Sequence, residues 1–534
     1  MNHVSKQEMA ESSISRITGV SLDQFASAIL SGQDDPFTID LQDQVAAHLQ
    51  GNARIQKILK VYNVSLRKER GMSSVLTLLI QEILSCFSSD FAFLPLGNTP
   101  LKGARTLRKP DAVLVPPHVA KRFRALRDSL YAKQAKEDAD EMRYWQSLVN
   151  SESEMTSPIS INRAVPSADS VGLSDALEAD CDGAETVKQA ILLAERQNAG
   201  KVRQPDDDAG LKISAGVTKQ SDAILWSQVA VAFELKRSGS RIPSKKGTDN
   251  LELDTYSPTT TGSRKRKVDT PGSVASSKKA HVTLNDVQLA RYMTEMRSAL
   301  GHRTHTFGCL LRGRNFMIKY SDPYGLIESE AVDFTKPDGL KKMATVIVAL
   351  ACAKREPLGF DARFKPPKRS APLANHDLPA SLTGWRYRLE EDTFVTIREL
   401  IHVQWCQTGR GTSVYLVDHD GDTRVLKTSY PHASRPREAT LLQTACERLE
   451  ARTPGSGTGV TRVYSSVQGD SVSQGFRTLL STQYVQEYDR RLEILLVEKL
   501  EPLHYVKTSE YIGPFNEILQ STPSAPLASW LSLR

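Results

Sequence analysis

The sequence predicts a multidomain α+β protein, in which an α/β unit with a mixed sheet and flanking helices precedes a second unit of antiparallel strands. Between Leu41 and Phe93, pairs of apolar residues recur every four positions, which is typical of helices. The runs 111–115 and 226–236 are rich in valine, as buried strands are. After residue 380, short apolar runs alternate with polar turns, which favours antiparallel strands.

Composition narrows the class of protein. The chain has 534 residues, enough for two or three domains, and a formal net charge of +7, which is too mild to indicate nucleic-acid binding by itself. Its six cysteines lie far apart without a C-x-x-C pair, which favours a reducing compartment. The longest apolar stretch, Met343 to Cys352, is shorter than the roughly 18 residues of a membrane span, and the N-terminus lacks a signal-peptide pattern. We therefore expect an intracellular protein without a membrane partner.

Changes of composition along the chain suggest domain boundaries. We expect a disordered segment at 1–40, an α/β region at 41–355, a Pro- and Lys-rich linker at 356–380 and a strand-rich unit at 381–534. The region 41–93 is predicted to hold two helices. Two inserts within the α/β region, at 150–215 and 238–282, are polar and poor in aromatic residues, so they are predicted to be disordered.

A first set of candidate catalytic residues lies at the ends of two predicted strands. Residues two apart in a strand share a face, so Glu234 and Lys236 present a carboxylate and an ammonium side by side. With Asp111 on an adjacent strand, two carboxylates are suited to hold Mg²⁺ while the lysine orients a water or stabilises a phosphate. The plain alternative is a solvated Glu–Lys pair and a surface aspartate, because an E-x-K triplet alone arises readily by chance.

A helix predicted at 284–300 adds Gln288 and Tyr292, four residues apart on one helix face. Together these residues resemble the PD-(D/E)xK nuclease-like superfamily over roughly residues 40–355, with Glu82 as the candidate acidic residue of the first helix. The resemblance implies a mixed sheet with flanking helices and Mg-dependent cleavage of DNA. One departure is that more than 120 residues separate Asp111 from Glu234, where a compact member has a short hairpin.

A second set of candidates resembles a nucleotide site. Gly409 and Gly411 lie in a turn between predicted strands, as in a loop that covers nucleotide phosphates. Lys427 ends the next strand, where it is placed to reach the α- and β-phosphates. Glu438 opens the following helix and is placed to pair with Lys427.

With these residues the chain resembles the fungal-type protein kinase family, in which a kinase-like domain follows a nuclease-like region. The resemblance rests on Lys109 to Asp111, Trp226, Glu234 to Lys236, the turn and strand from Asp322 to Ser329, Gly409 to Thr412, Lys427, and Arg437 with Glu438. It implies a partial kinase-like N-lobe with the start of a C-lobe at 381–534, ATP and Mg²⁺ as cofactors, and protein substrates or a full-length kinase relative as partners.

Three departures from the kinase pattern bear on activity. Val414 replaces the third glycine of the loop, and eleven positions separate Lys427 from Glu438, fewer than in most kinases. After Asp489 the sequence has no aspartate, and neither an H-R-D-x-x-x-x-N nor a D-F-G motif is present. We therefore expect a chain truncated before the catalytic loop, which binds nucleotide or regulates; a Mg-dependent nuclease is the alternative.

A basic run in the second insert suggests a location in the cell. Arg264, Lys265, Arg266 and Lys267 lie among serines and threonines, which fits a nuclear-import signal. The same run is also compatible with a solvated linker or with nonspecific contacts to DNA phosphates.

Overall fold

The computed structural model describes residues 17–31, 37–66, 69–96, 101, 109–130, 132–151, 224–236, 284–367, 378–452, 454, 460–472, 475–480 and 489–500. The two predicted inserts lie almost wholly outside these residues, and the basic run at 264–267 lies wholly outside them. None of the described helices is long and apolar enough to cross a bilayer.

The first unit is an eight-stranded mixed sheet. Its strands are β1 (Ile17–Val20), β2 (Ala92–Pro95), β3 (Ala112–Val115), β4 (Val231–Lys236), β5 (Thr306–Arg312), β6 (Asn315–Ser321), β7 (Leu326–Ser329) and β8 (Val332–Asp333). The order is β1-β7-β6-β5-β4-β3-β2, and β8 pairs with β6. Strands β2, β3 and β4 are antiparallel, whereas β4 and β5 run parallel, as do β1 and β7.

Helices cover both faces of this sheet. They are α1 (Leu22–Leu30), α2 (Phe37–Gly51), α3 (Ala53–Ser65), α4 (Glu69–Leu84), α5 (Pro117–Leu130), α6 (Ala132–Asn150), α7 (Leu284–Ser298) and α8 (Pro337–Cys352). Residues of α1, α3, α4 and α8 share one core with Phe233 and Leu235 of β4. Residues of α5 and α7 share the other core with Ala232, so successive residues of β4 point to opposite helical layers.

The second unit is a seven-stranded antiparallel sheet. Its strands are β9 (Phe364–Lys365), β10 (Arg386–Arg388), β11 (Phe394–Val403), β12 (Ser413–His419), β13 (Asp422–Ser429), β14 (Val463–Ser471) and β15 (Arg491–Glu498), in the order β14-β15-β13-β12-β11-β10-β9. Helix α9 (Glu438–Arg452) follows β13, and the short helix α10 (Phe476–Leu480) follows β14. The mixed α+β fold class with two sheets is confirmed.

The two units are packed together. Tyr415 donates a hydrogen bond from its hydroxyl to the Leu300 carbonyl at 2.8 Å. Phe476 of α10 stacks on Tyr320 of β6, with ring centroids 5.5 Å apart. Next to it, Arg477 forms a buried ion pair with Asp322, in which Nε lies 2.8 Å from Oδ2. Helix α10, although it follows a strand of the second sheet, therefore completes the core of the first.

Several expected boundaries need correction. The disordered segment predicted at 1–40 is wrong for residues 17–31, because β1 pairs with β7 and α1 buries its apolar face against the first core. The region 41–93 holds three helices instead of two, since Asn52 interrupts the pattern and caps α3 by accepting from the Ile55 backbone N–H at 3.2 Å. The linker predicted at 356–380 contains β9, which pairs with β10.

Candidate functional site

Asp111 and Glu234 meet where β3 and β4 pair. Asp111 directly precedes β3, and its Oδ2 accepts a hydrogen bond from the backbone N–H of Leu235 at 2.6 Å. Glu234 points to the layer of α7 and has 0 % of its surface exposed. Lys236, two residues on, forms an ion pair with the Glu234 carboxylate on the same face. The structure thus brings the three predicted residues together, although more than 120 positions separate Asp111 from the other two.

The position of Glu234 changes its acidity. Burial is the main cause that raises the pKa of Glu234, to about 7, and the nearby Asp111 carboxylate adds to the rise. Lys236 and Tyr292 act in the opposite direction by favouring the charged form. A carboxyl group with this pKa exchanges a proton near neutral pH, which is suited to general acid–base chemistry.

Helix α7 supplies the other two predicted residues. Gln288 donates from Nε2 to the Tyr292 hydroxyl at 2.6 Å, and that hydroxyl donates to the Lys109 carbonyl at 2.8 Å. Burial raises the pKa of Tyr292, so its hydroxyl stays protonated and available as a donor. Gly308 of β5 allows helix α7 to pack close to the sheet, because a Cβ at this position would lie 2.8 Å from Leu289 Cδ1. Gln288 and Tyr292 therefore tie the helix to the strand that Asp111 begins.

Glu82 does not join the carboxylate pair. It lies near the end of α4, where its Oε1 accepts from Asn52 Nδ2 at 2.9 Å and its Oε2 lies 3.1 Å from Arg54 Nε. Among the described residues, no group of three or more His, Cys, Asp or Glu side chains is arranged to hold a metal ion. Asp111 and Glu234 are thus two candidate Mg²⁺ ligands without a third side-chain ligand of these types in the described part of the chain.

Lys427 and Glu438 form the predicted ion pair in the second unit. Lys427 Nζ lies 2.6 Å from Oε1 and 2.8 Å from Oε2 of Glu438, so the ammonium contacts both carboxylate oxygens. Lys427 projects from β13 toward the first residue of α9, and its side chain is 25 % exposed. The short spacing of eleven residues is therefore compatible with the pairing.

The turn that contains Gly409 and Gly411 lies apart from the Lys427–Glu438 pair. Gly409 and Gly411 have φ angles of 122° and 53°, which favour glycine. The turn is held by the first unit: the Gly409 N–H donates to the Pro323 carbonyl at 3.0 Å. Gly411 lines a cleft with Thr428, which points to the face of β13 opposite Lys427. The structure does not bring the two glycines to the Lys427–Glu438 pair.

Sequence reasoning missed two buried charged clusters. Lys319, 0 % exposed, bridges Asp286 at 2.5 Å and Glu328 at 2.6 Å. Arg297 at the end of α7 donates to the carbonyls of Cys406 and Gln407 in the glycine turn. A lysine between apolar residues of a buried strand was a usable signal for Lys319, but no local pattern links Arg297 to residues more than 100 positions away.

One comparison with known proteins finds a match. No curated protein and no solved structure matches the chain significantly. Residues 252–492 match the family model of fungal protein kinases. The match covers α7 and β5 to β8 of the first unit as well as most of the second, so it crosses the boundary between the sheets. The segment 252–492, which includes the Lys427–Glu438 pair, is therefore similar to the fungal protein kinase family.

Proposed function

We propose that this chain is a kinase-like protein that binds ATP through Lys427 and acts by binding or regulation. The observation that carries the proposal is the two-point contact between Lys427 and Glu438, at 2.6 and 2.8 Å. In protein kinases, a lysine held in this way by a helix glutamate contacts nucleotide phosphates. The proposal is restricted to binding and regulation because the kinase elements found among these residues, Lys427 and Glu438, are those that take part in nucleotide binding.

The residues fit ATP in part. Lys427 is a quarter exposed and oriented by Glu438, which suits a contact with phosphate oxygens. The glycine turn faces the other side of β13, so Gly409 and Gly411 are not placed to cover phosphates bound at Lys427. When bound, Mg²⁺ would neutralise phosphate charge. The described residues of this unit include no group of three or more His, Cys, Asp or Glu side chains arranged to hold it.

Binding of ATP to the full chain, measured by calorimetry with and without Mg²⁺, tests this proposal. Lys427→Met is expected to weaken binding by about tenfold or more, since a charged hydrogen bond is worth roughly 1.5–3 kcal/mol. Lys342→Met is the matched control, because Lys342 is equally exposed and pairs with Glu330 at 3.2 Å on the first unit. Equal affinity of the Lys427 variant and the wild type for ATP would refute the proposal. Phosphotransfer by the wild type that is lost in Lys427→Met would show that the protein does more than bind and regulate.

A second candidate function, a Mg-dependent nuclease of the PD-(D/E)xK type, is favoured by the first site. The supporting observation is the convergence of Asp111, buried Glu234 and Lys236 at paired strands. The order of α4, β2 to β4, α7 and β5, with only the last strand parallel to β4, agrees with the expected mixed sheet. Bound Mg²⁺ would supply Lewis-acid chemistry, while Lys236 would orient the attacking water or stabilise the phosphate.

Incubation of the purified chain with plasmid DNA and Mg²⁺ tests the nuclease candidate. Cleavage should fall by about a hundredfold or more in Glu234→Gln, because the buried carboxylate is lost from the site. Glu330→Gln, which removes a partly exposed carboxylate of the same unit, should cleave like the wild type. Absence of cleavage, or equal cleavage by both variants, rejects the candidate.

Localisation and partners are further proposals. The basic run Arg264 to Lys267 supports nuclear import, and a fluorescent fusion with these four residues changed to alanine should stay outside the nucleus. A full-length kinase relative or a protein substrate is the partner class that the family implies, and DNA is the one that the nuclease candidate implies. Co-purification in the presence of nuclease separates a protein partner from contact through DNA.

A further inference from the structure

A narrow cleft lies between the two sheets, apart from both sites described above. It is lined by residues of α7 and the loop after it, by the glycine turn, and by β12 and β13; its polar lining includes Arg297, Ser298, Arg303, Asp361, Gln404 and Ser413. Thr428 and Tyr430 form part of the wall on the β13 side. Lys427 points away from this wall, so the cleft is not the ATP site proposed above.

Two arginines of the cleft are buried cations that form no ion pair with any described acidic side chain. Arg297 is 6 % exposed and Arg303 is 4 % exposed. One side of each guanidinium donates to backbone carbonyls: Arg297 to the glycine turn and Arg303 to Ser227 and Val229. Nη1 of both arginines is buried and has no hydrogen-bond partner among the residues that the structure describes. Each guanidinium is thus fixed in place with donors left over.

Two buried carboxylates in this region are engaged with other arginines. Asp361 also lines the cleft, but its Oδ1 accepts from the Arg363 backbone N–H at 2.9 Å and lies 3.6 Å from Arg363 Nη1. Asp322, in the loop beside Pro323, is held by Arg477 through two contacts at 2.8 Å. Neither Asp361 nor Asp322 therefore forms an ion pair with Arg297 or Arg303.

Further positive charge surrounds the glycine turn. Burial is the main cause that lowers the pKa of Arg490, and Arg435, Arg410 and Arg297 lower it further by repulsion. Burial also lowers the pKa of Arg303, to about 9. Uncompensated buried cations are unfavourable, so this arrangement is stabilised by any anion that enters the cleft.

We propose that the interdomain cleft is a binding site for a phosphate group, held by the spare donors of Arg297 and Arg303. Guanidinium groups prefer tetrahedral oxyanions because several N–H donors match their oxygens. The hydroxyls of Ser298, Ser413 and Thr428 line the same space and can complete the set of donors. The cleft is narrow, which suits a single phosphate group, either a free ion or the end of a phosphorylated side chain.

Thermal unfolding and calorimetry of the full chain with potassium phosphate test the proposal, with chloride used to keep the ionic strength constant. Phosphate should raise the melting temperature in a saturable way, because it binds only the folded state. Ser298→Asp places a carboxylate at the cleft from a half-buried position and should weaken phosphate binding by about tenfold or more. Ser147→Asp, an exposed serine of α6 with the same change of charge, should bind like the wild type.

Two further variants and a second ligand distinguish this site from the ATP site and identify the ligand. Arg297→Gln should also lose binding, and Lys427→Met should keep it, which distinguishes this site from the ATP site. Tighter binding of phosphoserine than of inorganic phosphate would identify a phosphorylated side chain as the ligand, and the reverse order would identify the free ion. Equal stabilisation of the wild type and Ser298→Asp, or no saturable binding, would overturn the proposal.

Discussion

Glu234 shows how one residue can couple acidity to stability. Its carboxyl group is fully buried on the α7 face of β4, where it pairs with Lys236 and lies close enough to Asp111 to be affected by its charge. The pKa rises from the model-peptide value of 4.5 to about 7, first because of burial and then because of Asp111. Between these two pH values, the folded chain holds a proton that the unfolded chain has released.

This difference predicts a pH dependence of stability. Because the folded state binds more protons, the contribution of Glu234 to the free energy of unfolding falls as the pH rises from about 4.5 to about 7. Glu234→Gln removes this dependence. The free energy of unfolding of the wild type minus that of the variant should therefore decrease by on the order of 1–3 kcal/mol across that pH range. Urea unfolding at a series of pH values measures the difference, and a constant difference would show that Glu234 does not titrate there.

At the scale of elements, the short helix α10 depends on one buried ion pair. Arg477 and Asp322 are 2–3 % exposed, and Asp322 Oδ1 also accepts from the backbone N–H groups of Tyr324 and Gly325 at 2.8 and 2.9 Å. Burial alone raises the pKa of Asp322, but Arg477 and these hydrogen bonds outweigh it and the net shift is downward. The carboxylate thus stays charged because Arg477 is present.

Removal of Arg477 should therefore be costly. Arg477→Ala leaves Asp322 as an unpaired buried charge and should destabilise the chain by about 3 kcal/mol or more in urea unfolding. Arg143→Ala, which breaks the exposed pair with Asp140, should change the free energy of unfolding by less than about 1 kcal/mol. Similar small effects of both changes would contradict the assigned role of α10.

Regular patterns made some elements predictable from sequence and left others hidden. The helix predicted at 284–300 agrees with α7 (Leu284–Ser298), and the valine-rich run 226–236 contains β4. Strand β11 gives a weaker signal in the sequence, because its pairing with β12 is irregular near residues 397–399 and 400–402, which breaks the alternation of period two. Strand β1 has the sequence ITGV, in which Thr18 and Gly19 interrupt the apolar run that made the equally short β3 recognisable.

In the candidate sites, too, contacts between residues close in sequence were predictable and contacts between distant residues were not. Glu234 and Lys236 share a face by simple strand alternation, and the Lys427–Glu438 pair joins residues eleven apart in sequence. By contrast, Arg297 meets the glycine turn across more than 100 positions. Such a contact depends on how two complete sheets pack, which no local pattern encodes.

At the scale of the whole molecule, the two sheets share an interface that leaves no room at Gly301. A Cβ there would collide with Ser413 and would lie 2.6 Å from the Tyr415 hydroxyl, and the φ angle of +68° also favours glycine. Because Arg297, Arg477 and Tyr415 also cross this interface, we expect the two units to unfold in one cooperative transition.

Gly301→Ala tests this coupling. It should destabilise the chain by about 2–4 kcal/mol through overlap and backbone strain together. Gly421→Ala is the matched control, since Gly421 has a φ of +86° but no atom within 4 Å of an added Cβ; it should cost only about 1–2 kcal/mol of strain. Calorimetry measures both the stability and the number of transitions. Equal costs for the two variants would argue against tight packing at the interface.

Strand β9 has a practical consequence for anyone who wishes to produce the kinase-like part alone. Phe364 packs its ring against Tyr387 and Tyr415, with centroids 4.8 and 5.9 Å apart, and β9 covers the edge of β10. A recombinant fragment that begins at residue 381 would lack this strand and would expose both tyrosines beside an unpaired sheet edge. Unprotected edges of this kind recruit other chains, so such a fragment would be prone to aggregate during expression.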